Sequence, residues 1–200
     1  MASEADITLI KELRAKTNAG VLDCKNALIE SKGDIKEAIQ ILRKKGIAEA
    51  AKKMGRSAKE GIIYAYVHPG NQKVGVVELN CETDFVARTD EFKNLAKEIA
   101  MQVVAFNPIS VDRESVPEEI LKEERTIYEE QVKRMNKPEK IQENIIKNKL
   151  EKFYSEVVLL EQKYYKNPST TVGDLIKEKI SVIGENIVVR RFQRFQVGEE

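Results

Sequence analysis

The fold is decided by residues 62–79, which read IIYAYVHPGNQKVGVVEL. Two runs rich in β-branched and aromatic residues, 62–67 and 74–79, flank the turn residues Pro69-Gly70-Asn71. This pattern is typical of a β-hairpin. On both sides of it, apolar residues recur every three or four positions, which is the spacing of amphipathic helices. The sequence therefore predicts an α+β protein in which helices cover an antiparallel sheet.

The residues after the hairpin predict one capped helix, a shorter helix and a last strand. Thr89 or Asp90 caps a helix that ends before Asn107. A shorter helix begins near Thr171, and residues 186–197 return to β-character. We expect this strand to join the hairpin and give an antiparallel three-stranded sheet.

Between these helices lies a highly charged region that predicts two long helices. Pro117 and Pro138 suit the first position of each, and residues 136–137 form the turn between them. Because charged residues surround a narrow apolar seam, the two helices are expected to cover each other. The sequence predicts a protruding antiparallel helical hairpin at about 117–163.

The N-terminal region predicts a small bundle of three short helices. Gly33 ends the second helix, Asp34 followed by Glu37 caps the third, and Gly46 ends it. An Ala- and Lys-rich helix then leads into a hinge near Arg56. We therefore predict two domains, a helical docking domain with a linker helix at 1–55 and an α+β core at 56–200.

Composition excludes several classes of protein. The 34 Lys and Arg residues nearly balance the 33 Asp and Glu residues, so no global field recruits nucleic acid or anionic lipid. The longest stretch without these four residue types, 99–111, is too short to span a bilayer. The N-terminus has neither a secretory nor a transit signal, which predicts a cytoplasmic protein with no membrane partner.

Catalytic motifs are missing from the sequence. The two cysteines, Cys24 and Cys81, have no partner at ligand spacing, and His68 is the single histidine. Phosphate-binding glycine loops are also missing, and the Glu-rich segments have interleaved Lys and Arg, as solvated helix faces do. The basic clusters at 43–45 and 52–56 lack aromatic neighbours for base stacking. We expect no enzyme, no metal, no cofactor and no direct nucleic-acid partner.

Residues 81–88, CETDFVAR, lie between the second strand and the helix that follows it. Phe85 beside Asp84 on a connector is consistent with a wedge that enters a partner protein, because loops on rigid elements often carry recognition. Alternatively, Phe85 or Val86 folds back onto the next helix as a variant hydrophobic staple. The residues alone leave both interpretations open.

Three separated motifs together resemble the elongation factor Ts family over nearly the full chain. They are LRAKTNAGVLDCKNAL at 13–28, ETDFVAR at 82–88 and GENIVVRR at 184–191. Asn18 stands where the family usually has Gly, and Val21-Leu22 where paired methionines are common. The length resembles that of the compact members with a single core subdomain.

The resemblance implies a nucleotide exchange factor that binds elongation factor Tu, GDP-bound and nucleotide-free, and promotes GDP release during translation elongation. It implies that the N-terminal bundle is ubiquitin-associated-like (UBA-like) and docks on the GTPase domain. The implied exchange wedge near the Mg²⁺ and phosphate site consists of Thr83, Asp84, Phe85 and Val86. The implied docking surface consists of Ala19, Val21, Leu22 and Lys25.

The resemblance leaves both a monomer and a homodimer open. Two other classes are weighed beside the exchange factor. A ubiquitin-like-protein or RNA-binding adaptor could use the same helical bundle, and a hydrolase could use carboxylates gathered in an unforeseen cleft.

Overall fold

A computed structural model of the chain describes residues 7–17, 19–135 and 138–199. Within these ranges the chain forms eight α-helices and five β-strands. The helices are α1 Ile7–Thr17, α2 Val21–Glu30, α3 Ile35–Lys53, α4 Asp84–Ala87, α5 Asp90–Phe106, α6 Glu118–Lys133, α7 Glu139–Val157 and α8 Val172–Ile183. The strands are β1 Glu60–Val67, β2 Lys73–Cys81, β3 Lys163–Tyr164, β4 Asn167–Thr171 and β5 Val188–Gln196. The predicted α+β class is confirmed.

The main sheet is antiparallel and three-stranded, with the strand order β1-β2-β5. The last strand joins the hairpin as predicted, and it does so beside β2, which is therefore central. A β-bulge lies opposite the Glu78–Leu79 step, so that Arg191 pairs with Glu78 and Val189 pairs with Leu79. Along β2 every second side chain is buried, as expected for a sheet covered on one face.

One face of the sheet packs against α5, which contacts both β1 and β2. The hydroxyl of Thr89 accepts a hydrogen bond from the amide of Phe92 at 3.3 Å, so the predicted cap is confirmed. Buried α5 residues at three- and four-residue spacing then line the core; they are Phe92, Leu95, Ala96, Ile99 and Val103. Leu175, Ile176 and Ile180 of α8 complete the same core.

The sheet and α5 approach each other closely at Gly75. A Cβ built there would lie 2.6 Å from the carbonyl oxygen of Ala100 and 2.9 Å from a methyl carbon of Val104. Only glycine leaves room for this contact between β2 and α5.

Helices α1, α2 and α3 share a second core around Leu13, Cys24 and Leu28. The predicted cap of α3 is confirmed, since Asp34 accepts a hydrogen bond from the Glu37 amide at 3.0 Å. The prediction that Gly46 ends this helix is wrong, because α3 continues to Lys53. Gly46 lies where α3 contacts α8, and a Cβ there would lie 2.8 Å from the Ser181 hydroxyl oxygen. The glycine thus permits close packing of two helices and does not end one.

Helices α6 and α7 contact each other and share a small core with the segment before α6. Pro117 and Pro138 are the N-cap residues, so each helix begins one position later than predicted. The hairpin was predicted to extend to about residue 163, but α7 ends at Val157. Leu160 lies beyond that end, and its backbone amide donates to the carbonyl of Val111 at 3.1 Å. The pair of short strands β3 and β4 was not predicted. The turn expected at 136–137 and the departure at Asn18 both lie outside the described residues.

No described helix has both the length and the apolar character needed to cross a bilayer.

Candidate partner-binding site

Residues 81–88, expected to form a connector, begin with the last residue of β2, Cys81, and contain the single-turn helix α4. Thr83 is its N-cap, and its hydroxyl accepts a hydrogen bond from the Val86 amide at 3.4 Å. The start of α5 is linked to α4, because the hydroxyl of Thr89, the N-cap of α5, donates to the Val86 carbonyl at 2.8 Å. A threonine at both N-caps, six positions apart, was the sequence signal that could have revealed two successive helices.

The two large apolar residues of α4 have different environments. Phe85 is 77% exposed, while Val86 is half-buried against the main core. The staple interpretation is therefore wrong for Phe85. A large aromatic ring held in water on a short capped helix is an unusual use of a residue that is normally buried.

The charges beside the ring are paired. Asp84 and Arg88 form an i,i+4 ion pair with 2.6 Å between carboxylate oxygen and guanidinium nitrogen. Both side chains are well exposed, so this pair adds little to stability. We call α4 and its C-cap Arg88 the tip. The ion pair balances the charges of Asp84 and Arg88 within it.

The carboxylate of Glu185 holds the segment that leads into the tip. It accepts hydrogen bonds from the amides of Glu82 and Thr83, both at 3.0 Å, and from the Thr83 hydroxyl at 2.6 Å. Glu185 lies in the segment between α8 and β5, directly after Gly184, which ends α8 in the left-handed conformation. Two distant parts of the sequence thus meet at the base of α4.

A second hydrogen bond joins the same two segments, but here the segment after α8 supplies the donor and the segment before α4 supplies the acceptor. The Glu82 carboxylate accepts a hydrogen bond from the Asn186 amide at 2.7 Å. The buried side-chain amide of Asn186 donates to the carbonyls of Met54 at 3.3 Å and Arg56 at 2.7 Å, just after α3. The Arg56 guanidinium also lies 3.6 Å from Glu82. We call Glu82, Glu185 and Asn186 the polar clamp.

Cys81, at the end of β2, is buried and free, as is Cys24. Its thiol donates to the Thr83 carbonyl at 3.2 Å. Burial, with the nearby Glu185 charge as a smaller cause, raises the pKa of Cys81 from 9.0 to about 11. The thiol is therefore neutral at physiological pH and is not a nucleophile.

The residues implied as a docking surface lie at the start of α2. Val21 and Leu22 are 54% and 69% exposed, and Lys25 is exposed beside them. Ala19 is half-buried and packs against the bundle core. Ile29, seven positions after Leu22 and partly exposed, extends the same helix face and was not predicted. Nearby, the ion pair with Asp23 raises the pKa of Lys45 above its ordinary value.

The two implied sets of site residues lie on different elements. The docking residues lie on α2, apart from Ala19 just before it, and the wedge residues lie on α4, apart from its N-cap Thr83. The third motif supplies Glu185 and Asn186, to which sequence reasoning gave no role. Two polar residues between a helix-ending glycine and the last strand were the signal for a tertiary hydrogen-bonding role.

The described residues contain no metal-binding cluster. Across 7–17, 19–135 and 138–199, no group of three or more His, Cys, Asp or Glu side chains could hold a metal ion. His68 lies exposed near the hairpin turn, with its Nδ1 3.3 Å from the Tyr66 hydroxyl. This histidine makes a local contact and is not part of a triad with a described nucleophile.

Comparison with known proteins agrees with the three sequence motifs. A family model described as elongation factor TS matches residues 1–199. Elongation factor Ts of Caldanaerobacter subterraneus subsp. tengcongensis is 54% identical over 190 residues, covering 95% of each chain. Elongation factor Ts of Fervidobacterium nodosum is also 54% identical over 197 residues, covering 98% of this chain and 100% of the relative. The chain belongs to the elongation factor Ts family.

Proposed function

We propose that this chain is a guanine-nucleotide exchange factor for elongation factor Tu and that it releases GDP by inserting Phe85 into the partner. Membership of the elongation factor Ts family supports the role in translation elongation. The observation that carries the wedge is the exposed Phe85 ring on a capped, clamped turn. This role would place the protein in the cytoplasm, where translation takes place.

The physical basis is a reciprocal coupling between two ligands of the same GTPase. A factor that speeds GDP release must bind the empty or distorted GTPase better than its GDP–Mg²⁺ form. GDP and the factor then weaken each other's affinity by the same factor. No covalent bond is made or broken, so exchange needs no catalytic side chain, cofactor or metal from this chain.

Phe85 supplies the energy for this coupling. Complete burial of a phenylalanine side chain contributes about 1.5–3 kcal/mol, and most of the ring is available because it is exposed in the free protein. If the ring separates two helices near the nucleotide, it displaces groups that hold Mg²⁺ and the β-phosphate. The loss of those charge-assisted contacts weakens GDP binding.

The remaining parts of the chain would divide the work of binding. We propose that α1, α2 and α3 form a UBA-like docking domain and that residues 56–200 form the core that carries the wedge. Val21, Leu22 and Lys25 would contact the GTPase domain, with Ala19 supporting them from the bundle core. Helices α6 and α7 would form a protruding hairpin. A monomer and a homodimer are both compatible with this arrangement.

The test is release of a fluorescent GDP analogue from elongation factor Tu, measured against factor concentration. Wild-type protein should accelerate release, and Phe85→Ala should lower the maximal rate by tens of times, because loss of a central aromatic anchor costs about 2 kcal/mol. Its thermal unfolding midpoint should stay the same, since the ring packs little in the free protein. Unchanged release by Phe85→Ala would refute the wedge.

Three further measurements separate the other classes of function. An RNA-binding adaptor would bind RNA with an affinity that falls steeply with salt, and a hydrolase would consume a substrate without the partner. An exchange factor should form a stoichiometric complex with the nucleotide-free GTPase, and added GDP should dissociate that complex.

A further inference from the structure

We propose that Glu185 is a positioning residue that holds the exchange wedge in its partner-binding conformation. The proposal rests on the wedge function proposed above, and it assigns the rigidity of the wedge to a side chain about 100 positions away in the sequence. It is carried by the three hydrogen bonds that converge on the Glu185 carboxylate.

The two backbone donors lie where regular secondary structure supplies no acceptor. The amides of Glu82 and Thr83 come after Cys81, the last paired residue of β2, and before the first hydrogen-bonded turn of α4. An N-cap residue and the residue before it cannot bond within their own helix. The carboxylate supplies acceptors for both amides, and such charge-assisted bonds are stronger than neutral ones.

Glu185 also fixes the direction of the Thr83 hydroxyl. The hydroxyl donates its proton to Glu185 at 2.6 Å, so its lone pairs face the Val86 amide, from which it accepts at 3.4 Å. The N-cap of α4 is thereby set by a contact from outside the helix. A four-residue helix has little stability of its own, so this external contact decides whether the turn persists.

The residue after Glu185, Asn186, is held through both its backbone and its side chain. The Asn186 amide bonds to Glu82, and the Asn186 side chain bonds to two carbonyls just after α3. The wedge, the end of α3 and the start of the last strand therefore form one hydrogen-bonded unit. A wedge that is already ordered loses less conformational entropy when it binds, which favours insertion.

The experiment combines two substitutions in a double-mutant cycle with the fluorescent GDP-release assay. Glu185→Gln keeps the shape of the side chain, but it removes the charge and replaces one acceptor oxygen by a donor nitrogen. We expect the maximal release rate to fall about tenfold, because the network loses its charge and one of its two acceptor oxygens. The half-saturating concentration should change less than about threefold, because the docking surface on α2 is unchanged.

The double variant Phe85→Ala/Glu185→Gln decides whether Glu185 acts through the ring. If it does, the double variant releases GDP at the rate of Phe85→Ala alone, since there is no ring left to position. Multiplied effects would show that Glu185 acts elsewhere and would overturn the proposal. Glu114→Gln, a charge loss at an exposed glutamate outside the clamp, is the matched control and should behave as wild type.

Hydrogen exchange provides a readout that does not need the partner. In Glu185→Gln, the amide proton of Thr83 should exchange at least about tenfold faster than in wild type, while the amides of α5 keep their rates. Equal exchange at Thr83 would overturn the proposal even if release slowed. Accelerated exchange throughout the chain would indicate general destabilisation and would also overturn it.

The two proposals fail in different ways. If Phe85→Ala leaves release unchanged, the wedge function is wrong and the positioning role falls with it. If Phe85→Ala slows release but Glu185→Gln alters neither release nor Thr83 exchange, the wedge function stands and only the role of Glu185 is wrong.

Discussion

Thr83 and Glu185 are joined by two hydrogen bonds, from the Thr83 amide at 3.0 Å and from its hydroxyl at 2.6 Å, across 102 positions of the chain. The residue that caps the helix of the tip is thus fixed by a carboxylate next to the last strand. The conformation of the tip is a tertiary property, and a peptide containing only residues 82–88 would lack it.

Leu22→Ser should weaken docking without changing the maximal rate of GDP release. Leu22 is 69% exposed, so its loss should change the free energy of unfolding by less than about 0.5 kcal/mol. Removal of an apolar anchor from an interface should raise the half-saturating concentration about tenfold, with an unchanged maximal rate. The GDP-release titration measures both values. Val197→Ser, an equally exposed apolar change, is the control, and an equal effect there would contradict a specific docking role.

Gly75→Ala should destabilise the core. The added methyl group would meet the Ala100 carbonyl oxygen at 2.6 Å, and backbone cannot move aside cheaply. We expect the free energy of unfolding to fall by about 1–3 kcal/mol in urea denaturation. Gly55→Ala is the control, since no atom lies within 4 Å of a Cβ there. If Gly75→Ala and Gly55→Ala had the same free energy of unfolding, that result would contradict the close packing of β2 against α5.

Cys81 should make stability depend on pH in the alkaline range. Burial raises its pKa in the folded state from 9.0 to about 11. The unfolded chain therefore loses the thiol proton first as pH rises, and stability declines from pH 9 through pH 11. Below pH 9 the thiol is protonated in both states and contributes no pH dependence. Urea midpoints for wild type and Cys81→Ala at several pH values isolate this contribution, and parallel curves would contradict it.

Arg113→Lys should lower the free energy of unfolding, because Arg113 links the segment before α6 to α7 and to the residues that follow it. The Arg113 guanidinium bonds the carboxylates of both Glu151 and Glu161 and lies 4.4 Å from the centre of the Tyr154 ring. Lysine cannot reproduce this planar, forked geometry. We expect a loss of free energy of unfolding on the order of 1 kcal/mol, reduced from the buried case because the pairs are partly exposed.

Arg125→Lys is the matched control for this change. Arg125 makes a single i,i+4 pair with Glu129 on the exposed surface of α6, so its replacement should cost less than about 0.5 kcal/mol. Urea denaturation of both variants supplies the comparison. Equal losses would mean that the Arg113 contacts contribute no more than an ordinary surface pair.

Local patterns in the sequence were sufficient for most of the fold. The hairpin, the cap at Thr89 and the pairing of the last strand with the hairpin were predicted from period, turn residues and capping chemistry. Gly46 was misjudged because glycine is common at helix ends, whereas here it permits contact between α3 and α8. The strands β3 and β4 are too short to leave a periodic signal.

The candidate site could be predicted only in part from such local patterns. Residues 81–88 alone could not decide between a packed and an exposed Phe85, because that depends on which neighbours the fold brings to it. Glu185 and Asn186 lie in the third motif, but their immediate sequence indicates no role, since their partners Glu82 and Thr83 are distant in the sequence. Hydrogen bonds between remote segments leave no spacing pattern for a sequence to display.

The central position of β2 has a consequence for synthesis of the protein. Its partner β1 precedes it directly, but its other partner is the strand that ends at Gln196, so Lys73 pairs with a residue made 123 positions later. On the ribosome, a nascent chain can form the hairpin early, but the sheet is completed only when residues 188–196 have been made. The hydrogen bonds that hold Thr83 form only on chains translated past Glu185, and a product terminated before that residue would lack them.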